Sequence, residues 1–217
     1  MASSPTFVII GGGLAGAKAA EALRSKHFGG QVVLFGAEDR LPYERPPLSK
    51  EFMAGKKTIE EFTVRPQSWY TEHDIDLRLG TEVTTLDRTA HMVAFNDGDH
   101  EHYDKLVLAT GSRARKPPIP GADAQGVHFL RTVDDAAGLL AQLTDGRRLA
   151  IVGAGWIGLE VASAARGFDN DVTVVEPQST VLKGALGQEL GDVFAGLHRE
   201  HGVELINFAD ELPTGSR

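Results

Sequence analysis

Short apolar runs alternate with amphipathic stretches along this chain. Phe7 to Ile10 is an unbroken apolar run; glycines follow it, and then Ala15, Ala19, Ala20 and Leu23 fall at helical spacing before a second run, Val32 to Phe35. This order predicts strand, helix and strand, a βαβ unit with parallel strands. The same order returns from Leu149 to Val152, through glycines and a helix carrying Ile157, Val161 and Ala164, to the run Val172 to Val175. Between the copies, Asp76 to Leu86 and His91 to Phe95 read as short strands, with Asn96-Asp97-Gly98 supplying hairpin chemistry. YDKLVLATG, residues 103–111, reads as one more buried strand ending in a tight turn. RARKPPIPGADAQG, residues 113–126, is dense in Pro, Gly and Arg and marks the boundary between two folds. The pattern therefore predicts an α/β protein of two Rossmann-like folds, the first over residues 1–116 and the second over 117–217.

The glycines are spaced for a purpose. Gly11-x-Gly13-x-x-Gly16 and Gly153-x-Gly155-x-x-Gly158 each follow a strand and open a helix, the context a dinucleotide fingerprint requires. In such a loop the first glycine makes the tight turn, the second lets backbone approach a pyrophosphate, and the third packs helix against strand. The phosphates then lie on the N–H groups at the helix N-terminus. An acid about 20 residues further on is expected to take the adenosine ribose. In the second copy the strand ends directly on Glu176, whose charge favours NAD over NADP. In the first copy the strand ends at Phe35, and the nearest carboxylates, Glu38 and Asp39, come only after Gly36 and Ala37.

Composition narrows the chemistry. With 217 residues, 41% apolar and 24% charged, the chain has the balance of an ordinary globular protein. Its N-terminal MASSPTFVII has neither a basic leader nor the length of a spanning segment, so a cytoplasmic protein with no membrane attachment is expected. A net charge of -8 argues against nucleic acid as the main partner. The 217 residues contain no cysteine, which excludes a dithiol pair and leaves redox chemistry to a bound cofactor.

One stretch is not explained by the fold: LPYERPPLSKEFMAGK, residues 41–56, a charged loop stiffened by three prolines. With FVIIGGGLAGAKAAEAL, YDKLVLATGSR, FLRTVDDA and GAGWIGLE, it gives the chain its likeness. From about Thr6 to about Leu205 the sequence resembles the FAD- and NADH-dependent ferredoxin and rubredoxin reductases, a glutathione-reductase-like family. The resemblance implies a flavoprotein that passes a hydride from NADH to FAD and electrons on to a ferredoxin or rubredoxin. It implies that Gly11, Gly13, Leu14, Ala15 and Gly16 hold the FAD pyrophosphate. Arg45 and Lys50 would line the flavin side, Val83 would meet the adenine end, and Thr110, Gly111 and Arg131 would complete the FAD contacts. Gly153, Gly155, Ile157 and Gly158 would hold NADH, with Glu176 on its ribose. Lys50 and Glu160 would be the catalytic pair beside the flavin, and Trp156 either covers the nicotinamide pocket or simply packs. Where the family commonly has an acid for the FAD ribose this chain has Ala37, so Glu38 is the expected substitute.

Members of that family are about twice this length, so a truncated or divergent member is expected, with the NAD-binding fold and a C-terminal domain incomplete. INFADELPTGSR, residues 206–217, does not follow the expected strand, and exposed apolar surface is expected to drive self-association. The alternative is a non-catalytic nucleotide-binding remnant or interaction protein. His100 with His102, and His198 with His201, lack a third ligand and are expected to be solvated, leaving no metal site. Lys56-Lys57 and Arg113 to Lys116 are candidate parts of a docking patch for an acidic iron–sulfur partner.

Overall fold

Apolar runs that cannot face water on either side end up in the middle of parallel sheets. The computed structural model describes residues 4–96, 98–143 and 146–207, which gather into two compact units. The first comprises the chain up to Glu44 together with Ile59–Arg113. Its elements in order are β1 (Thr6–Ile10), α1 (Leu14–Ser25), β2 (Gln31–Phe35), α2 (Gln67–Glu72), β3 (Ile75–Arg78), β4 (Val83–Asp87), β5 (Met92–Phe95), β6 (Asp99–His102) and β7 (Lys105–Leu108). A parallel sheet runs in the order β3-β2-β1-β7, and β4-β5-β6 form a separate antiparallel sheet.

Strand β2 shows why its run is continuous. Val33 and Phe35 face one core with Val8, Ile10, Val93 and Phe95, while Val32 and Leu34 face another with Ile9, Ala20, Tyr70 and Ile75. Both faces are covered, so alternation in the sequence is lost. The stretch from Asp76 to Leu86 is split: β3 joins the parallel sheet and β4 the antiparallel one, with Gly80 in the left-handed region (φ +60°) between them. The β5–β6 turn has left-handed Asn96 (φ 49°) and Gly98 (φ 123°); Asp97 lies outside the described residues.

Tyr70 is fully buried, and burial pushes its phenol from 10.0 up to about 12. An unfolded chain would release that proton near pH 10.0 while the folded one holds it to about pH 12. Stability should therefore be intact below the first value and fall as pH rises toward the second. Alkaline titration followed by tyrosinate absorbance, with the melting temperature measured in parallel, checks both statements.

The second unit joins Arg45–Thr58 to the chain from Ala114 onward. Its elements are a 3-10 turn (Pro46–Ser49), α3 (Val133–Leu140), β8 (Arg148–Val152), α4 (Trp156–Arg166), β9 (Asp171–Glu176), α5 (Lys183–Glu200) and β10 (Val203–Asn207). The sheet runs β10-β9-β8, all parallel. Thr132 caps α3 by a reciprocal box with Asp135, and α5 is kinked at Gly187 (φ 79°). Ile206 and Asn207 continue the strand after all, pairing with Val175 and Glu176; the rest of INFADELPTGSR, residues 208–217, lies outside the described residues. His198, on α5, is partly buried rather than fully solvated, and burial, with His201 a lesser cause, holds its imidazole below the usual range. No described helix is long and apolar enough to cross a membrane.

The two βαβ units share a device that the motifs did not reveal. In the last turn of α1, Arg24 donates to the carbonyls of Phe28, Gly30, His73 and Asp74 at 2.6–2.8 Å. In the last turn of α4, Arg166 donates to the carbonyls of Asn170 and His201 at 2.5 and 3.1 Å. Each arginine satisfies carbonyls of the helix-to-strand loop within its βαβ unit and of the turn leading into the next parallel strand, and ties the helix end to both. Their identical distance past Gly16 and Gly158 was the available signal.

Candidate functional site

Ligands of open α/β sheets bind at the carboxyl ends of the strands, where the strand order reverses. In the first unit the chain leaves β1 for β2 on one side, and β7 lies on the other. Gly11 turns there at φ +123°, its N–H donating to the Phe35 carbonyl at 2.8 Å. A side chain at Gly11 would overlap the Ala109 carbonyl, so the glycine loop lies directly against the Ala109-Thr110-Gly111 turn, with Gly111 at φ 70°. A methyl group at Gly16 would overlap the Gly11 carbonyl, whereas Gly13 has open space where its side chain would project. The helix ladder begins with Ala17 N–H on the Gly13 carbonyl, leaving the amides of Leu14, Ala15 and Gly16 ahead of it.

The second unit repeats this construction. Gly153 turns at φ +104° and donates to the Val175 carbonyl at 2.8 Å. Gly158 is closed by the Gly153 carbonyl, and Gly155 is open. Leu159 N–H begins the ladder on the Gly155 carbonyl, so Trp156, Ile157 and Gly158 stand ahead of it. Trp156 is 49% exposed and meets Phe194 edge-on at 5.8 Å.

The acids differ, and strand register shows how. Ile10 pairs with Phe35 and Val152 with Val175, so Gly36 and Glu176 occupy equivalent places. Glu176 is only 7% exposed; its carboxylate accepts the N–H of Ala154 at 2.7 Å and of Gln178 at 3.0 Å, bracing the glycine loop. In the first unit the loop packs straight onto backbone: a side chain at Gly12 would come within 2.9 Å of Gly36 Cα. Glu38 lies two residues beyond, and the buried Tyr43 donates its hydroxyl to Glu38 Oε2 at 2.6 Å. Ala37 is exposed, and Val83 packs beside the cluster of Phe35 and Phe95. Tyr43 was legible only as part of the proline-rich motif, with no signal of its partner.

The segment Arg45–Thr58 packs with the second unit, taking with it two residues that the resemblance assigns to flavin. Arg45 Nη1 donates to the Arg131 carbonyl at 2.5 Å, and Arg131 Nε is buried without a partner among the described residues. Lys50 Nζ lies 3.5 Å from Glu160 Oε1 on α4, so the expected pair is assembled. Ser49, which sequence reasoning passed over, donates its hydroxyl to Glu160 Oε2 at 2.5 Å. A cavity of about 490 Å³ opens beside them, lined by Ser49, Lys50, Lys56, Glu160, Ser163 and Phe168.

These residues fit dinucleotides. Each unit offers an open middle glycine, a third glycine closed by the carbonyl of the first, and three helix-end amides; the first glycine is closed by Ala109 in the first unit and open in the second. Among the described residues no three His, Asp or Glu gather as metal ligands.

Known proteins are similar to this chain in sequence and in fold. The family profile described as pyridine nucleotide-disulphide oxidoreductase matches residues 5–209. The chain is 43% identical to rhodocoxin reductase of Rhodococcus erythropolis, over 97% of this chain and 51% of that protein. It is 45% identical to the ferredoxin–NAD(+) reductase component of the anthranilate 1,2-dioxygenase system of Burkholderia cepacia, over 93% and 50%. Among solved structures, the covalent putidaredoxin reductase–putidaredoxin complex superposes with a TM-score of 0.89 at 37% identity, over 94% of this chain and 50% of that one. The chain thus spans about half the length of the curated relatives it matches.

Proposed function

The chain belongs to the pyridine nucleotide-disulphide oxidoreductase family, and from that premise we propose that it is the nucleotide-binding part of an NADH-dependent flavoprotein reductase serving a ferredoxin or rubredoxin. The observation that carries this reading is the glycine loop built twice with different acids: Glu176 braced at the strand end in one, Gly36 with Glu38 further on in the other. A bound FAD would take a hydride from NADH and release electrons singly, as one-electron carriers require.

What the chain's own residues do follows from their geometry. Gly11, Gly13 and Gly16, with the amides of Leu14 and Ala15, receive the FAD pyrophosphate; Thr110 and Gly111 border that loop, Glu38 takes the ribose, and Val83 meets the adenine. Gly153, Gly155, Ile157 and Gly158 receive NADH. Glu176 accepts from its ribose with the lone pairs that Ala154 and Gln178 leave over, and its charge repels an added 2′-phosphate. Arg45 and Arg131 offer cationic donors to FAD, Lys50 and Glu160 form the reacting pair, and Trp156 covers the nicotinamide site. With no cysteine in these residues, no thiol relay competes with outward electron transfer. Residues Lys56, Lys57 and Arg113 to Lys116 supply positive charge for an acidic carrier, and the setting is cytoplasmic, where NADH is supplied.

Anaerobic titration of flavin-loaded protein tests this. NADH should bleach the flavin's visible absorbance, and NADPH should do so at least about tenfold more slowly, the outcome of one unpaired anion repelled beside Glu176. A protein that takes up NADH but no flavin belongs instead to the non-catalytic nucleotide binders.

A further inference from the structure

Glu160 is gripped from two sides, and the grips differ in kind. Lys50 reaches it with an ammonium 3.5 Å from Oε1, on a side chain 50% exposed and free to swing on four methylenes. Ion pairs of that exposure contribute little. Ser49 donates to Oε2 at 2.5 Å from a side chain that is 7% exposed, the short range of a hydroxyl on a carboxylate. Its backbone closes a 3-10 turn begun by Pro46 and Pro47, whose rings fix φ, and Pro47 and Leu48 are buried with it. The hydroxyl is therefore held in place by rigid, buried backbone, and the ammonium is not.

We infer that Ser49, rather than Lys50, fixes the carboxylate of Glu160, making Ser49 a positioning residue for the nicotinamide and leaving the Lys50 ammonium to face the bound ring. The inference rests on the Lys50–Glu160 reading given above and adds the residue that orders it. The nicotinamide of NADH is then aimed by a carboxylate whose second oxygen is anchored, while its phosphates stay with the Gly153–Gly158 loop.

Two sets of measurements on the whole chain test it. Ser49→Ala should lower the thermal midpoint by about 3–6 °C, and Lys50→Met by no more than about 1 °C. In a Glu160→Ala background the Ser49→Ala loss should vanish, and with Glu160 intact Ser49→Thr, which keeps the hydroxyl, should lower the midpoint less than Ser49→Ala does. In flavin-loaded protein, Ser49→Ala should slow reduction by NADH about tenfold while the Kd for NAD+ stays within about twofold. A Ser49→Ala loss that persists undiminished in the Glu160→Ala background overturns the inference, as does a larger coupling of Lys50 than of Ser49 to Glu160. If the parent protein takes no flavin, the proposed function fails, and the stability cycle still decides the role of Ser49.

Discussion

Gly13→Ala is expected to leave the melting temperature within about 2 °C of the parent and to strip the protein of flavin, while Gly16→Ala, three residues on, lowers that temperature by roughly 5–10 °C. The two positions sit in the same loop and differ in what surrounds them. A methyl group at Gly13 meets nothing, and its backbone is extended (φ -97°), a conformation any residue adopts. Alanine there even restrains the unfolded chain, which slightly favours folding. The methyl group would instead occupy the space through which a pyrophosphate comes up to the backbone. At Gly16 the methyl group overlaps the Gly11 carbonyl and presses on Leu34, so α1 must lift from the sheet. Gly155→Ala and Gly158→Ala should repeat the contrast in the second unit, with NADH in place of flavin. Flavin content per mole of protein and a thermal melt read both arms; flavin retained at parental stoichiometry by Gly13→Ala would contradict the assignment of that loop.

Glu176→Ala is expected to cost about 2–4 kcal/mol and to abolish measurable selectivity for NADH over NADPH. Both carboxylate oxygens accept backbone N–H groups, and Ala154, which donates one of them, is itself buried. Truncation leaves that N–H without a partner and frees the loop that should hold the diphosphate. Glu176→Arg follows from the same geometry: it brings a cation against two N–H donors in a nearly closed space, so NADH affinity falls without NADPH affinity rising above the parent's. Fluorescence titration with each nucleotide, beside a denaturant melt, measures both effects. Parental stability in Glu176→Ala would mean that the loop is braced from elsewhere.

Much of this was legible in the residues. The runs at Phe7, Val32, Leu149 and Val172 announced four parallel strands, because an apolar run between glycine turns has few other places to go. The glycine spacings announced the loops, since turn, approach and packing each constrain one position. Less legible was anything decided by contacts distant in sequence. Glu176 could be read as a charge for a ribose, but not as a brace, because the Ala154 amide that it accepts belongs to the preceding strand's turn. Ser49 carries no signal, since a serine after two prolines reads as a turn residue until Glu160 is brought against it from 111 positions away. The partial burial of His198 likewise depends on tertiary packing, since α5 lies against β10.

Neither compact unit is a continuous piece of chain, since Arg45–Thr58 lies inside the span of the first and packs with the second. This has a consequence for synthesis on the ribosome. The Pro46–Ser49 turn emerges early, yet the α4 surface that buries it is not translated until Trp156–Arg166 has been made. The first unit meanwhile cannot close its parallel sheet until β7 arrives to lie beside β1. The nascent polypeptide therefore carries Pro47 and Leu48, buried in the finished fold, before the helix that packs on their turn exists. The order of synthesis thus separates the moment at which this loop is made from the moment at which its partner helix exists.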